Sequence, residues 1–379
     1  MYGRNRDCWV QWILACIYIC RFIPIEKQSG ISRPFTSTVE SAWHGGDMED
    51  RMKTGIALYG ANGHQIMHLL EQNPRAELVA VAAVHENLLE TLQKKHPGLR
   101  YYATLEEMLQ DSKVELVSLC SPVRANQATE AILCLKAGRH VYAEKPCAMT
   151  ETELDEIMET TRQTGMQFHE MAGTAFLQPY LAMRGMIREG VIGEVIQVLA
   201  QKSYPYFNER PQDERTDGGL ICQNAIHAFR FIEHVAGQRI SSVYAFETNL
   251  GNPYKDGGLM MAASMAMTLE NGGVANVTAN YLNPKGFGLW GNEHLRIFGT
   301  KGFIESTDGG ARTRLIVEDR DFGEIDLSGE GRDYFEMYLD CLSGAKPMPL
   351  SLEEELHPTR MVIRAKRSAR GNTHIEKPE

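Results

Sequence analysis

Two sheets are expected from this chain. The first half predicts a doubly wound parallel α/β sheet; the second predicts an α+β unit with an open-faced, mostly antiparallel sheet. Three observations lead there. Up to about residue 165, short apolar runs alternate with helical-period segments, and strands apolar throughout are those covered on both faces of a parallel sheet. From about residue 193, period-two strands separated by short turns take over, the pattern of a sheet packed on one side. The chain has 379 residues, 43% apolar and 23% charged, a globular mix with material for about two domains.

The elements follow in order. Residues 54–60 (TGIALYG) read as a buried strand and 61–73 as a helix, with Ile66, Leu69 and Leu70 at helical spacing. Residues 76–84 are the next strand and 86–96 the next helix. Thr104 and Glu107 form a capping box opening a short helix. A third strand covers 114–122, and a helix over 125–138 closes on Gly138. Residues 140–146 (HVYAEKP) are a strand, Thr150 and Glu153 a second capping box, and Gly165 the stop of the helix between. Helices over 179–190 and 217–237 and a long strand over 193–206 begin the second half. Strands over 240–249, 259–282 (turning at Asn271-Gly272), 293–306 and 313–319 build its sheet. Helices over 332–344 and 352–371 close the chain, Pro358 standing near the start of the last, where its missing N–H matters least.

Charge and cysteine content narrow the function. Lys plus Arg number 39 and Asp plus Glu 49, a net charge of −10, which gives no general attraction to nucleic acid or an anionic membrane. Eight cysteines lack any CxxC spacing, so neither a disulfide framework nor a zinc site is expected, and a reducing cytoplasm is the expected location. Residues 1–51 stand apart. An apolar stretch at 8–20 behind Arg4 and Arg6 resembles a signal-peptide core but is short for a span. Gly45-Gly46-Asp47 before Met48 suits a translated ribosome-binding site, so the expectation is an over-extended start, the protein beginning at Met48 or Met52, with export as the alternative. The expected domains are 52–172, binding a dinucleotide, and 173–379, binding substrate and a second subunit.

In a parallel sheet, ligands bind beyond the carboxyl ends of the strands. The turn Gly60-Ala61-Asn62-Gly63-His64 follows the first strand, where glycines let backbone N–H groups approach a pyrophosphate. Asn62 takes a glycine's place there, and Asn tolerates left-handed geometry. The second strand ends at His85-Glu86 with no acid at the usual ribose position. Glu86 as a substitute and His85 against the adenosine both stay open, and with them NAD and NADP. The third strand ends at Ser121-Pro122, followed by Asn126; the fourth ends at Glu144-Lys145, an acid and a base facing the ligand crevice.

These motifs coincide. The Gly-turn, SLCSP, AGRHVYAEKP and the paired glycines before Ile226-His227 together resemble the glucose–fructose oxidoreductase / inositol dehydrogenase (Gfo/Idh/MocA) family, over about 53–371. The resemblance implies a Rossmann domain plus an open-faced α/β domain, a bound nicotinamide dinucleotide and a sugar, cyclitol or related polyol substrate. It places Lys145 beside the nicotinamide and the substrate hydroxyl, with Glu144 and Pro146 shaping that turn, and matches His227 to the histidine of a D-x-G-x-H segment. The chain departs from the pattern: Gln223 replaces the aspartate, Ala225 the glycine, and Asn126 a histidine. Gln223 can bond a hydroxyl but carries no proton.

On this reading His227, ordinarily near 6.5, is the principal base, and Lys145 donates to the substrate oxygen. The resemblance allows the reverse. A lone helical histidine is ordinarily structural, and Cys222 near it reads as packing because no third metal ligand is evident. Met261, Ala263, Met265 and Met267 alternate and are expected on the open sheet face under another subunit, making a homo-oligomer. Two other functions remain: a redox-neutral lyase or glycosidase with a recycled cofactor, and a non-catalytic dinucleotide sensor.

Overall fold

The structure is a computed structural model and describes residues 53–206 and 210–371. The expectation for residues 1–51 lies outside the described residues.

Six strands form the first sheet: β1 (Thr54–Tyr59), β2 (Ala76–Ala82), β3 (Arg100–Tyr102), β4 (Leu116–Leu119), β5 (His140–Ala143) and β6 (Phe168–Glu170). Their order is β3-β2-β1-β4-β5-β6, every pair parallel. Strand order reverses between β1 and β4, so a crevice opens beyond their carboxyl ends. β1 and β4 are buried along their lengths, as apolar runs with no polar face require. The Thr150–Glu153 capping box forms, and Gly165 ends that helix with φ 67°. Thr104 caps its helix by accepting from the Glu107 N–H.

The first expected helix is a correction. Only Met67–Leu70 is helical, and residues 61–66 stay a loop. Gln65 holds them there: its amide donates to the carbonyls of Gly60 (3.0 Å) and Ser118 (3.2 Å). The His64 N–H bonds the Glu144 carboxylate at 2.9 Å, in place of any helical carbonyl.

Eight strands form the second sheet: β7 (Val195–Ser203), β8 (Ile240–Thr248), β9 (Ala262–Leu269), β10 (Val274–Asn280), β11 (His294–Gly299), β12 (Gly302–Thr307), β13 (Arg312–Val317) and β14 (Arg320–Gly323). The order is β14-β13-β12-β11-β7-β10-β9-β8, antiparallel except for β7 beside β10. Gly272 supplies the positive φ of the β9–β10 turn. The helical segment opening at Leu220 runs to Val235, with wide π-type turns over Leu220–Ala225 and Phe231–Val235.

The methionine stripe is also a correction. Met261, Ala263, Met265 and Met267 are each 5% exposed or less, in one core cluster with Phe229, Ile232 and Val362. They face the chain's own helices. The open face carries their neighbours Ser264, Ala266 and Thr268, with exposed Tyr244 and Phe246 on β8. Pro358 stands a full turn inside its helix (Leu352–Gly371), not at its start.

A buried polar knot joins the two sheets. Glu170, ending β6, accepts from the Cys147 N–H (2.7 Å) and the Thr359 hydroxyl (2.6 Å), and pairs with Arg230 on the His227 helix. A buried ion pair is tolerated when its remaining lone pairs are satisfied, and this one fixes the register of the helix that carries His227. Among the described residues, no helix is long and apolar enough to cross a membrane.

Candidate active site

Lys145 follows β5 and is 1% exposed; its bond to Pro146 is cis. Its ammonium donates to the Gln223 carbonyl at 2.7 Å and stands 3.6 Å from Glu144. The amine of one sheet's turn thus rests on the helix that carries His227, one turn further on. The His227 ring meets the Tyr204 hydroxyl at 3.2 Å. Lys202, two residues earlier on β7, lies over the Tyr204 ring at 4.7 Å and pairs with Glu293. Gln223 takes part with its side chain as well, accepting from the Tyr281 hydroxyl at 3.5 Å.

The electrostatics are set by burial. Burial pushes Lys145 down to about 8; Glu144 opposes this, and Arg124 and Arg230 add to it. Burial, then Lys145, Lys202 and Arg230, hold His227 well below its ordinary range, so it is neutral at pH 7. Burial and the nearby Lys145 bring Lys202 down to about 7, while its contact with Glu293 works the other way. Glu144 resists its own burial: His64, Lys145 and Arg124 hold its carboxyl well below the usual carboxylate range.

The turn after β1 is shaped by close approach. A Cβ on Gly60 (φ 68°) would lie 2.1 Å from the Cys120 carbonyl, and one on Gly63 (φ 119°) 2.7 Å from the Glu144 carboxyl. Both positions therefore exclude side chains. Asn62 is a further correction, since its backbone is not left-handed. Its side-chain amide instead bridges to the carbonyls of Thr216 (2.6 Å) and Pro122 (3.2 Å), tying the turn to the second half of the chain. The Asn62, His64 and Gln65 N–H groups bond within the protein, and those of Ala61 and Gly63 have no hydrogen-bond partner among the described residues. Fully buried Gln127 holds the far side: it donates to the Pro146 carbonyl (3.1 Å) and accepts from the Ser121 N–H (3.2 Å).

Gly63 and His64 thus meet Glu144, which pairs with Lys145, and Lys145 meets Gln223 in the neighbourhood of His227, while Gly60 and Asn62 lie against Cys120, Pro122 and Thr216. His85 and Asn126 are exposed in the segments that follow β2 and β4. Lys202, Arg124 and Gln127 are not anticipated by the sequence, whereas Tyr204 opens the Tyr-, Arg- and Asp-rich loop 204–219 in which the sequence predicts sugar contacts. Period two along β7 carries a signal for Lys202: Val198 and Ala200 face the core, and Lys202 shares their parity. Among the described residues no group of three or more metal-ligating side chains comes together.

Both halves of the chain resemble known proteins. Residues 54–171 match the model of an oxidoreductase family with an NAD-binding Rossmann fold, and residues 180–305 match a GFO/IDH/MocA C-terminal domain. Myo-inositol 2-dehydrogenase of Thermotoga maritima is 22% identical, over 71% of this chain and 78% of its own. Bovine trans-1,2-dihydrobenzene-1,2-diol dehydrogenase is 29% identical, over 51% of this chain and 59% of its own. A solved oxidoreductase-type structure from Thermotoga maritima superposes with a TM-score of 0.75 at 26% identity, covering 83% of this chain and 98% of that one.

Proposed function

The chain belongs to the Gfo/Idh/MocA oxidoreductase family, and from that premise we propose that it oxidises a secondary alcohol of a sugar, cyclitol or related polyol with NAD or NADP. The observation that carries the proposal is the buried Lys145 amine bonded to the helix of His227, with Tyr204 and Lys202 beside that histidine. The turn fits a pyrophosphate: two glycines whose Cβ atoms would collide, and two amides, those of Ala61 and Gly63, not bonded within the described residues.

A bound nicotinamide supplies the hydride acceptor. The rest falls to the chain's own groups. Oxidation requires the hydroxyl proton to leave, and the best base has a pKa near the working pH. Lys145, at about 8, meets that condition. His227 does not: Gln223 in place of a carboxylate leaves nothing to raise it, and three nearby cations lower it further. Our assignment therefore reverses the one drawn from unperturbed pKa values. Lys145 Nζ accepts the proton, and neutral His227, braced by Tyr204, orients the hydroxyl. Lys202 and Gln223 contact the remaining hydroxyls. Glu144 holds the Gly-turn to the lysine and stays ionised.

The relatives named above act, by their names, on inositol and a diol, which supports a vicinal polyol as substrate. Purified protein is mixed with inositols, aldoses, ketoses and cyclic trans-diols, with each cofactor, and reduced nicotinamide is followed by absorbance. Net accumulation with a polyol is expected. Product formed without net reduction would instead identify a recycled cofactor, and binding without turnover a sensor.

We also propose that the open face pairs with a second copy. Eight strands about 4.8 Å apart and about 20 Å long span about 700 Å², near the 800 Å² per partner of a standard interface. Exposed Tyr244 and Phe246 lie on it. Light scattering should give at least a dimer, and Phe246→Asp a smaller species; a monomeric wild type refutes the pairing. The buried, unpaired thiols Cys120, Cys134, Cys147 and Cys222 suit a reducing cytoplasm.

A further inference from the structure

Asn62 joins two parts of the crevice that belong to different ligands. Its backbone is held on both sides: the N–H donates to the Cys120 carbonyl at 3.3 Å, and the carbonyl accepts from buried Arg124. A side-chain amide has two N–H donors, and both are spent here. One goes to Pro122, after β4, at 3.2 Å and the other to Thr216 at 2.6 Å. Thr216 lies in the four-residue helix Glu214–Asp217. The last carbonyls of a helix have no intrahelical donor, and Asn62 supplies one to Thr216.

The segment that carries Thr216 also shapes the substrate side. A Cβ on Gly218 (φ 101°) would lie 2.8 Å from the Pro146 ring, next to Lys145. Asp217 accepts from the Gly219 N–H at 2.9 Å and faces Arg210 at 3.4 Å. Arg210 lies over the Tyr281 ring at 3.9 Å, and the Tyr281 hydroxyl donates to Gln223 at 3.5 Å. From Gln223 the contacts return through Lys145 and Glu144 to His64 of the Gly-turn, closing a ring.

Such a ring transmits order. A pyrophosphate on the turn fixes Asn62, and the fixed amide holds Thr216 in its place. A segment already ordered by one ligand costs the next one less to bind. We propose that Asn62 is a positioning residue that couples the two ligands: cofactor seated on the turn orders residues 210–219 and thereby tightens polyol binding. This rests on the reading of residues 60–64 as the pyrophosphate turn. The coupling cannot exceed the worth of the tie, about two- to tenfold for one neutral hydrogen bond. It is reciprocal, so polyol tightens cofactor binding by the same factor.

Hydrogen exchange of the full chain, read by mass spectrometry, is compared with and without saturating NADH, and with and without NADPH. Peptides over 58–66 report the turn and peptides over 213–219 the tied segment. In the wild type both should slow, the second by about two- to tenfold. Asn62→Ala, compared at equal cofactor saturation whatever its own affinity, should lose the slowing over 213–219. Should that variant fail to fold, Asn62→Gly, which gives the turn the glycine ordinary for such loops, carries the same expectation. Slowing at the turn alone in the wild type, or slowing over 213–219 that survives in a folded Asn62 variant, overturns the coupling and leaves the pyrophosphate reading standing. Slowing at neither place overturns that reading and the coupling with it.

Discussion

If Lys145 is the proton acceptor, only its neutral form works, and the pH dependence of oxidation is fixed. A free lysine near 10.5 is neutral in about one molecule in 3000 at pH 7. At about 8 the neutral share is about one in eleven at pH 7, one half at pH 8 and ten in eleven at pH 9. Burial thus raises the working fraction about 300-fold at pH 7. The rate should climb about tenfold from pH 7 to pH 9 with unit slope below the inflection. His227 adds no limb in that range, being neutral throughout.

The assay is the initial rate of cofactor reduction at subsaturating polyol and saturating cofactor, from pH 6 to 10, read as kcat/KM. Lys145→Arg keeps the positive charge but cannot deprotonate, so it should lose about 10²–10⁴ in rate and the limb with it. Lys202 also titrates near this range, at about 7, so Lys202→Met serves as the control and should keep the limb near 8 while raising KM. A rate that is flat or falls between pH 7 and 9 would refute the assignment, returning the proton to His227 and making Lys145 a charged donor. Stability carries the same signature. The folded lysine is depressed, so between about pH 8 and 10.5 the unfolded chain binds the extra proton and folding gains with rising pH, by up to about 3 kcal/mol. Denaturant titrations of Lys145→Met should lack that increment.

Other outcomes separate the remaining roles. His227→Ala should lower kcat/KM by a hundredfold or more, and Tyr204→Phe, which removes one neutral hydrogen bond, by less than about tenfold; the reverse order would show that Tyr204 acts directly. Gly63→Ala puts a methyl 2.7 Å from the Glu144 carboxyl at a φ of 119°; it should weaken NADH binding more than tenfold by fluorescence titration and cost about 1–3 kcal/mol. Arg230→Met leaves Glu170 charged and unpaired in the knot between the sheets. It should cost about 3–5 kcal/mol in denaturant titrations, and a loss below about 1 kcal/mol would show the knot is not what joins them.

What could be read from the residues divides by the range of the interaction. The parallel sheet, its order-reversing crevice and the helix stops are local signals: apolar runs, Thr-x-x-Glu caps and a glycine at the left-handed stop, each set within a few residues. The lysine at the end of β5 was readable for the same reason, since an acid and a base at a buried strand's carboxyl end have few other uses. The methionine stripe was misread because period two establishes that β9 has two unlike faces and not which one its own helices cover; small Ser264, Ala266 and Thr268 gave no apolar contrast to decide it. Asn62 was misread because its side chain reaches a carbonyl 154 positions away, a partner that local conformational preference cannot reveal. The proposed proton assignment departs from the sequence expectation at longer range still. Reference pKa values favoured His227, but the field there is built by Lys145, Lys202 and Arg230, from three separate elements, and the carboxylate that would have balanced them is Gln223. On the proposed assignment the identity of the base follows from the burial of His227 and from a carboxylate missing at Gln223, which only the assembled site displays.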